Sequence, residues 1–177
     1  MAVYDKLYKA YGPRHWWPGE NSFEVMVGAV LTQNTSWRNV ERAIQKLKVK
    51  RVLNPQGIYR LKRSQLASLI KSSGYYRIKA GRLKSLMDFL FEAYDGDLKR
   101  MKRQRQVELR GKLLGVRGIG PETADSILLY ALEKPIFVVD AYTKRVLSRH
   151  GIISEKASYD EIQKLFMDHL RKRLFLK

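Results

Sequence analysis

The amino-acid sequence predicts an all-α protein. Apolar residues recur at helical spacing along nearly the whole chain. Capping residues and glycines punctuate those stretches where helices should begin and end. The one segment with strand propensity, Pro135-Ile136-Phe137-Val138-Val139, is short and has no obvious partner, which makes it an extended, buried connector.

The elements follow in order. Asn21 with Glu24 reads as a capping box ahead of an apolar run from Phe23 to Leu31. That run is apolar on nearly every face, so this helix should lie at the centre of the fold. Ser36 is placed to cap the next helix, on which Val40, Ala43, Ile44 and Leu47 form one stripe. Asn54-Pro55 starts a short helix. Ser64 starts another, with Leu66, Leu69 and Ile70 on one side and Gly74 at its end. A longer helix carries Ile78, Leu83, Leu86, Met87, Leu90 and Phe91 and stops near Gly96. A helix over Val107 to Leu114 is followed by a glycine-rich turn. Pro121 opens a further helix that ends near Glu133. The last two helices span roughly Ala141–His150 and Ser158–Leu170. No internal repeat and no low-complexity linker interrupts them.

The chain has 177 residues, enough for one generous domain or two small helical lobes, and 45% of them are hydrophobic, enough for a buried core. Lys and Arg number 35 against 17 Asp and Glu, a formal charge of +18. So large an excess opposes compaction and points to a polyanionic partner, nucleic acid first and an anionic membrane surface second. No apolar run reaches the roughly 18 residues of a spanning helix. The N-terminus, Met1-Ala2-Val3-Tyr4-Asp5-Lys6, is not a secretion signal. A soluble, cytoplasmic, nucleoid-associated monomer without membrane contact is expected. There is no cysteine, which excludes disulfides, thiolate zinc, iron–sulfur clusters and cysteine nucleophiles. His15, His150 and His169 are too scattered for a transition-metal site.

The most specific feature is Leu114-Gly115-Val116-Arg117-Gly118-Ile119-Gly120-Pro121-Glu122-Thr123-Ala124. A helix ends, a Gly-Ile-Gly turn reverses the chain, and a new helix begins at a proline. The glycines allow positive φ and close approach of another backbone. Ile119 can anchor the turn in the core. Free N–H groups of the turn and of the new helix would then form an anion site suited to a DNA phosphate. Lys99, Arg100, Lys102, Arg103, Arg105, Arg110 and Lys112, with Glu108 the one acid among them, should surround that phosphate with positive charge. The bland alternative is a tight helix–helix turn beside a solvated basic face. The net charge favours the phosphate site.

The order Phe23-Glu24, Val30-Leu31-Thr32-Gln33-Asn34-Thr35, Gly118-Ile119-Gly120-Pro121-Glu122-Thr123-Ala124 and Val138-Val139-Asp140 resembles the endonuclease III superfamily of helix-hairpin-helix DNA glycosylases. The similarity runs from about Trp16 to His169. It implies two helical lobes with the active site in the cleft between them: one lobe over residues 22–134, holding the hairpin at about 107–133, and a second built from residues 1–21 and 135–177. It also implies double-stranded DNA containing a damaged base as partner. A monovalent cation at the hairpin would be compatible with the motif; no other cofactor is expected. Many relatives carry a four-cysteine iron–sulfur cluster, which this chain cannot hold. After Leu170 only residues 171–177 follow, where the family brings back another helix, so the end looks truncated.

The resemblance also assigns roles. In bifunctional members a lysine opens the helix after the hairpin and cuts the strand through a Schiff base. Glu122 stands at that position, and a carboxylate cannot form an imine, so monofunctional base removal is implied. Glu122 serves equally well as a favourable acid in a helix's first turn. Asp140 matches the essential aspartate. Departure of the base builds positive charge on the sugar, which a fixed carboxylate stabilises while orienting water. Asp140 is also placed as an N-cap, and both roles can coexist. The hairpin residues Arg117, Gly118, Ile119, Gly120 and Thr123 would meet DNA. So would Gln33 and Asn34, either of which can fill the gap left by a flipped base or simply end a helix.

His15-Trp16-Trp17-Pro18-Gly19 resembles the bacterial 3-methyladenine branch of the superfamily. Trp16, Trp17 and Pro18 would line a base pocket, where aromatic faces attract a cationic alkylated purine. The tryptophans serve equally well as packing for the N-terminal lobe. The expected activity is hydrolysis of the N-glycosidic bond of such a base, for example 3-methyladenine. The alternatives are a glycosylase for an oxidised or mismatched base and a non-catalytic hairpin module that only holds DNA. Asp140, at the family's spacing from Glu122, argues against the last.

Overall fold

A computed structural model describes residues 2–13 and 17–170. The fold is all-α, with no strand among the described residues. The helices are α1 (Ala2–Tyr11), α2 (Ser22–Leu31), α3 (Trp37–Val49), α4 (Pro55–Arg60), α5 (Arg63–Leu69), α6 (Tyr76–Tyr94), α7 (Leu98–Arg103), α8 (Gln106–Leu114), α9 (Pro121–Ser126), α10 (Ala141–Arg149) and α11 (Tyr159–His169). A 3-10 turn, Lys71–Ser73, precedes α6. The chain after α9 continues as a π-helical turn, Ile127–Ala131, instead of the uniform helix the sequence suggests, with the Leu132 N–H donating to Ile127 five residues back. Such turns recur at functional sites. No described helix is long and apolar enough to cross a membrane.

Local signals placed most helix starts. Asn21 accepts the Glu24 N–H at 3.0 Å, but the return half of the expected box is missing. The Glu24 carboxylate pairs instead with Lys48 at 2.9 Å. Asn54 caps Gly57 at 2.7 Å. Ser36 does occupy the N-cap of α3, though its hydroxyl makes no capping bond. The helix expected to start at Ser64 begins at Arg63, where the Lys62 N–H donates to Gln65. Ser158 and Glu161 form a complete capping box on α11. Helices α1 and α7 are not among those expected from the sequence, although Val3, Leu7 and Ala10 of α1 recur at helical spacing and Asp97 caps α7.

Central α2 is buried from Phe23 through Leu31, as its all-round apolarity requires. It anchors a large hydrophobic cluster that runs from α2 to Ile136. A second, smaller cluster joins Val139, Leu147 and Ile162, with Phe137 and Phe166 packed on it. The connector between Leu132 and Asp140 passes from one cluster to the other and is neither helix nor strand.

One buried charge steadies the end of α2. Lys79, only 1% exposed, donates to the carbonyls of Leu31 at 2.8 Å and Ser73 at 2.5 Å. An ammonium at a helix C-terminus meets the negative end of the dipole and satisfies carbonyls that the helix cannot. Burial, and secondarily the charge of Arg82, lowers its pKa to about 8.

Candidate active site

The hairpin joins α8 to α9. Ile119, 4% exposed, pins the turn to the core. Gly118 has φ of +85° and requires glycine, whereas Gly120 has φ of −91° and ψ of 178°, which any residue adopts. The N–H groups of Gly118, Gly120, Glu122 and Thr123 donate to nothing among the described residues. They edge an open groove of about 730 Å³, lined also by Gln33, Arg82, Arg117 and Tyr159. Unpaired donors at a helix start favour an anion there.

The end of α2 reaches this turn through Gln33. Its amide donates to the Thr123 hydroxyl at 2.8 Å and to the Gly118 carbonyl at 3.3 Å, and Arg82 donates to its side-chain oxygen. Asn34 instead takes a left-handed conformation, φ 52°, and is exposed in the turn after the helix. Of the two candidates, therefore, only Gln33 is built into the hairpin.

The basic segment before the hairpin is arranged differently from the expected halo. Arg100 pairs with Asp95, Lys102 with Glu133, Arg105 with Glu108 and Arg110 with Asp125 and Asp160. Lys112 donates to Gln104. None of these lines the groove; Arg82 and Arg117 supply its positive charge. A run of basic side chains on short helices spreads around the helix, and nearby acids capture several of them, Arg110 against a buried carboxylate and the rest at the surface.

Asp140 is the N-cap of α10. Its Oδ1 accepts the N–H of Thr143 at 2.7 Å and the Thr143 hydroxyl at 2.8 Å. Its Oδ2 accepts nothing among the described residues, and the side chain is half-buried. Two bonds on one oxygen thus fix the carboxylate and leave the other presented. Glu122 is open to solvent, yet partial desolvation and, secondarily, the Asp140 charge hold its carboxyl above the usual range. The same charge, after burial, raises Tyr130. Asp140, Glu122 and Tyr130 therefore share one electrostatic neighbourhood.

Trp17 adjoins it. Its ring lies 5.2 Å from that of Tyr130 and meets Trp37 edge-on at 5.7 Å. The indole is half-buried against the large cluster and passes over Gly28 of α2. Its Nε1 is buried without a hydrogen-bond acceptor among the described residues. Pro18 is exposed beside it, and Trp16 and His15 lie outside the described residues.

A family model for helix-hairpin-helix base excision DNA repair proteins, the HhH-GPD superfamily, matches residues 27–172. The chain belongs to the HhH-GPD superfamily. A Methanocaldococcus jannaschii protein, provisionally named a DNA repair glycosylase, is 49% identical over 173 residues, spanning 97% of this chain and 79% of the relative. The crystal structure of an H. pylori 3-methyladenine DNA glycosylase bound to 1,N6-ethenoadenine superposes with a TM-score of 0.84 at 34% identity, over 98% of this chain and 80% of that one. Endonuclease III of Thermotoga maritima is 32% identical over 135 residues, 76% of this chain and 59% of the relative.

Seen as an HhH-GPD protein, the chain holds site residues that periodicity did not mark. Arg82 and Trp37 reach the groove or the aromatic cluster from helices read as apolar stripes, and Tyr130 and Tyr159 from helices whose aromatic residues carried no separate signal. Aromatic residues on a core-facing stripe look like packing in a sequence, and nothing in their spacing separates the two uses.

Proposed function

We propose that this protein is a monofunctional DNA glycosylase that hydrolyses the N-glycosidic bond of a flipped, alkylated purine, such as 3-methyladenine, in double-stranded DNA, and acts as a nucleoid-associated monomer. The observation that carries the reading is Asp140: a carboxylate fixed through one oxygen, with the other presented beside Tyr130 and Glu122.

The chemistry follows from that geometry. As the base leaves, the glycosidic electron pair departs with it and positive charge grows on the sugar. The Asp140 anion stabilises that charge in a cleft that bound DNA would close to water. Water then adds its oxygen to the anomeric carbon, and its proton passes to the carboxylate or to solvent. The free N–H groups of Gly118, Gly120, Glu122 and Thr123, with Arg82 and Arg117, hold a backbone phosphate. Gln33 or Asn34 fills the vacated stack; Asn34 is exposed, whereas Gln33 would first have to leave Thr123, Gly118 and Arg82. Glu122 offers no amine for an imine, so the strand stays intact. Residues 22–134 would form one lobe, and residues 1–21 with 135–177 the other. The second cluster, at Val139, Leu147 and Ile162, supports a separate C-terminal unit, although Trp17, Ile136 and Met167 pack on the first cluster.

The alkylpurine preference rests on Trp17 with Tyr130. Ring faces attract a cationic base, and the unpaired Trp17 Nε1 is a donor without an acceptor. The likeness to the H. pylori enzyme supports the same reading. The test is an excision panel with one duplex per lesion, scored separately for released base and for strand cleavage. Release of methylated purines without strand cleavage is expected, and Asp140→Asn should abolish it while leaving duplex binding nearly intact. Asn caps a helix as well as Asp does, so the fold should survive. Wild-type single-turnover release by Asp140→Asn overturns the assignment.

A further inference from the structure

The segment leading into Asp140 is held by a polar network that nothing above requires. Asp125, on α9 just past the hairpin, is fully buried. Arg110 of α8 grips it with two bonds, 2.8 and 3.1 Å. Tyr159 donates its hydroxyl to Asp125 at 2.8 Å, and Gln163 donates its amide at 2.7 Å. A buried carboxylate with this many donors is fully satisfied and therefore rigid.

Both α11 donors have a second contact, and both contacts fall on the connector. The Tyr159 hydroxyl accepts the Val139 N–H at 3.3 Å. The Gln163 amide donates to the Phe137 carbonyl at 2.6 Å. Two more residues of the same face of α11 join them: Phe166 stacks on Phe137 at 3.8 Å, and the Met167 sulfur accepts the Phe137 N–H at 3.3 Å. Positions 159, 163, 166 and 167 follow helical spacing, so one face of α11 forms a rail for the connector. Val139 is the residue before Asp140. Burial pushes the Tyr159 hydroxyl far up, so it keeps its proton at any working pH. Tyr159 also lines the hairpin groove.

We infer that Asp125, Tyr159 and Gln163 are positioning residues for Asp140: the buried anion behind the hairpin fixes α11, and α11 fixes the peptide that aims the carboxylate. The inference rests on Asp140 being the essential carboxylate. The physical reason is the steep dependence of reaction on placement, since a displacement of about 1 Å costs on the order of a hundredfold. An N-cap sets the carboxylate against α10, whereas these bonds set it against the hairpin and hence against the DNA that the hairpin holds.

The test uses duplex DNA with radiolabelled methylated purines at saturating enzyme. Tyr159→Phe keeps the ring and loses both hydroxyl bonds. It should slow single-turnover release about tenfold to a hundredfold, with affinity for undamaged duplex within about twofold and Tm close to wild type. Gln163→Leu should act in the same direction. Ile162→Val loosens α11 from its apolar side without touching the connector bonds; it should lower Tm yet leave release unchanged well below the melting range. A wild-type rate in both Tyr159→Phe and Gln163→Leu, or rate losses that track Tm equally in all three variants, would overturn the positioning role while Asp140→Asn stays inactive. Release retained in Asp140→Asn would instead overturn the Asp140 reading and this inference together.

Discussion

The two hairpin glycines should respond to substitution in opposite ways. At Gly118, φ is +85°, and placing a side chain there costs about 1–2 kcal/mol in backbone strain alone. The new Cβ would also fall 2.9 Å from Arg82 Cδ and Nε, so the arginine must swing away and release Gln33. A hydrogen bond to a charged group is worth about 1.5–3 kcal/mol, less here because the pair is only part-buried. Gly118→Ala should therefore destabilise by roughly 2–4 kcal/mol, a Tm loss of about 4–16 °C for a chain of this size. At Gly120 the backbone is ordinary and an added Cβ meets nothing within 4 Å. Gly120→Val should cost no more than about 1 kcal/mol of stability, the loss of a glycine N-cap. Its side chain would nevertheless stand in the groove beside the free N–H groups and weaken binding to every duplex sequence alike. Thermal unfolding and fluorescence anisotropy with undamaged duplex, measured over a salt series, separate the two. An equal Tm loss in both variants refutes the conformational assignment. Unchanged affinity in folded Gly120→Val removes the hairpin from the DNA interface.

Three other outcomes are expected. No borohydride-trapped complex with DNA should form, because Glu122 occupies the position of the imine-forming lysine; a trapped adduct would show that another amine does the chemistry. Trp17→Leu should reduce excision of cationic alkylpurines about tenfold or more relative to neutral lesions; a uniform loss that tracks a lowered Tm would make Trp17 a packing residue only. Lys79 has a folded pKa of about 8, below its unfolded value of about 10.4, so between those values the unfolded chain binds more protons and stability rises with pH. In urea unfolding, wild type should gain up to about 3 kcal/mol over Lys79→Met from pH 7 to pH 10.5, and a pH-independent difference would show that Lys79 is not buried as a charge.

Much of the site was legible because it is local. The Gly-Ile-Gly-Pro turn, the N-cap at Asp140 and the cap at Asn21 each depend on residues three or four positions apart, and each appears where the sequence put it. The two hairpin glycines look alike in the sequence, and only φ shows that Gly118 uses the left-handed region while Gly120 does not. The basic run before the hairpin misled. Arg110 looks like a phosphate ligand by charge and position, yet it is committed to Asp125, which the sequence displays as an unremarkable acid on a short helix.

The sequence by itself determined the helical class, most helix boundaries, the hairpin and the candidate carboxylates, because spacing and capping act over a single turn of chain. Tertiary structure decided which polar groups meet. Gln33 finds Thr123 across 90 positions, Lys79 caps Leu31 across 48, and Gln163 reaches Asp125 across 38. The physical reason is that a buried polar group is stable only with a partner, and its partner is chosen by which segments pack together. Periodicity specifies the face a residue occupies but not the residue that will stand opposite it.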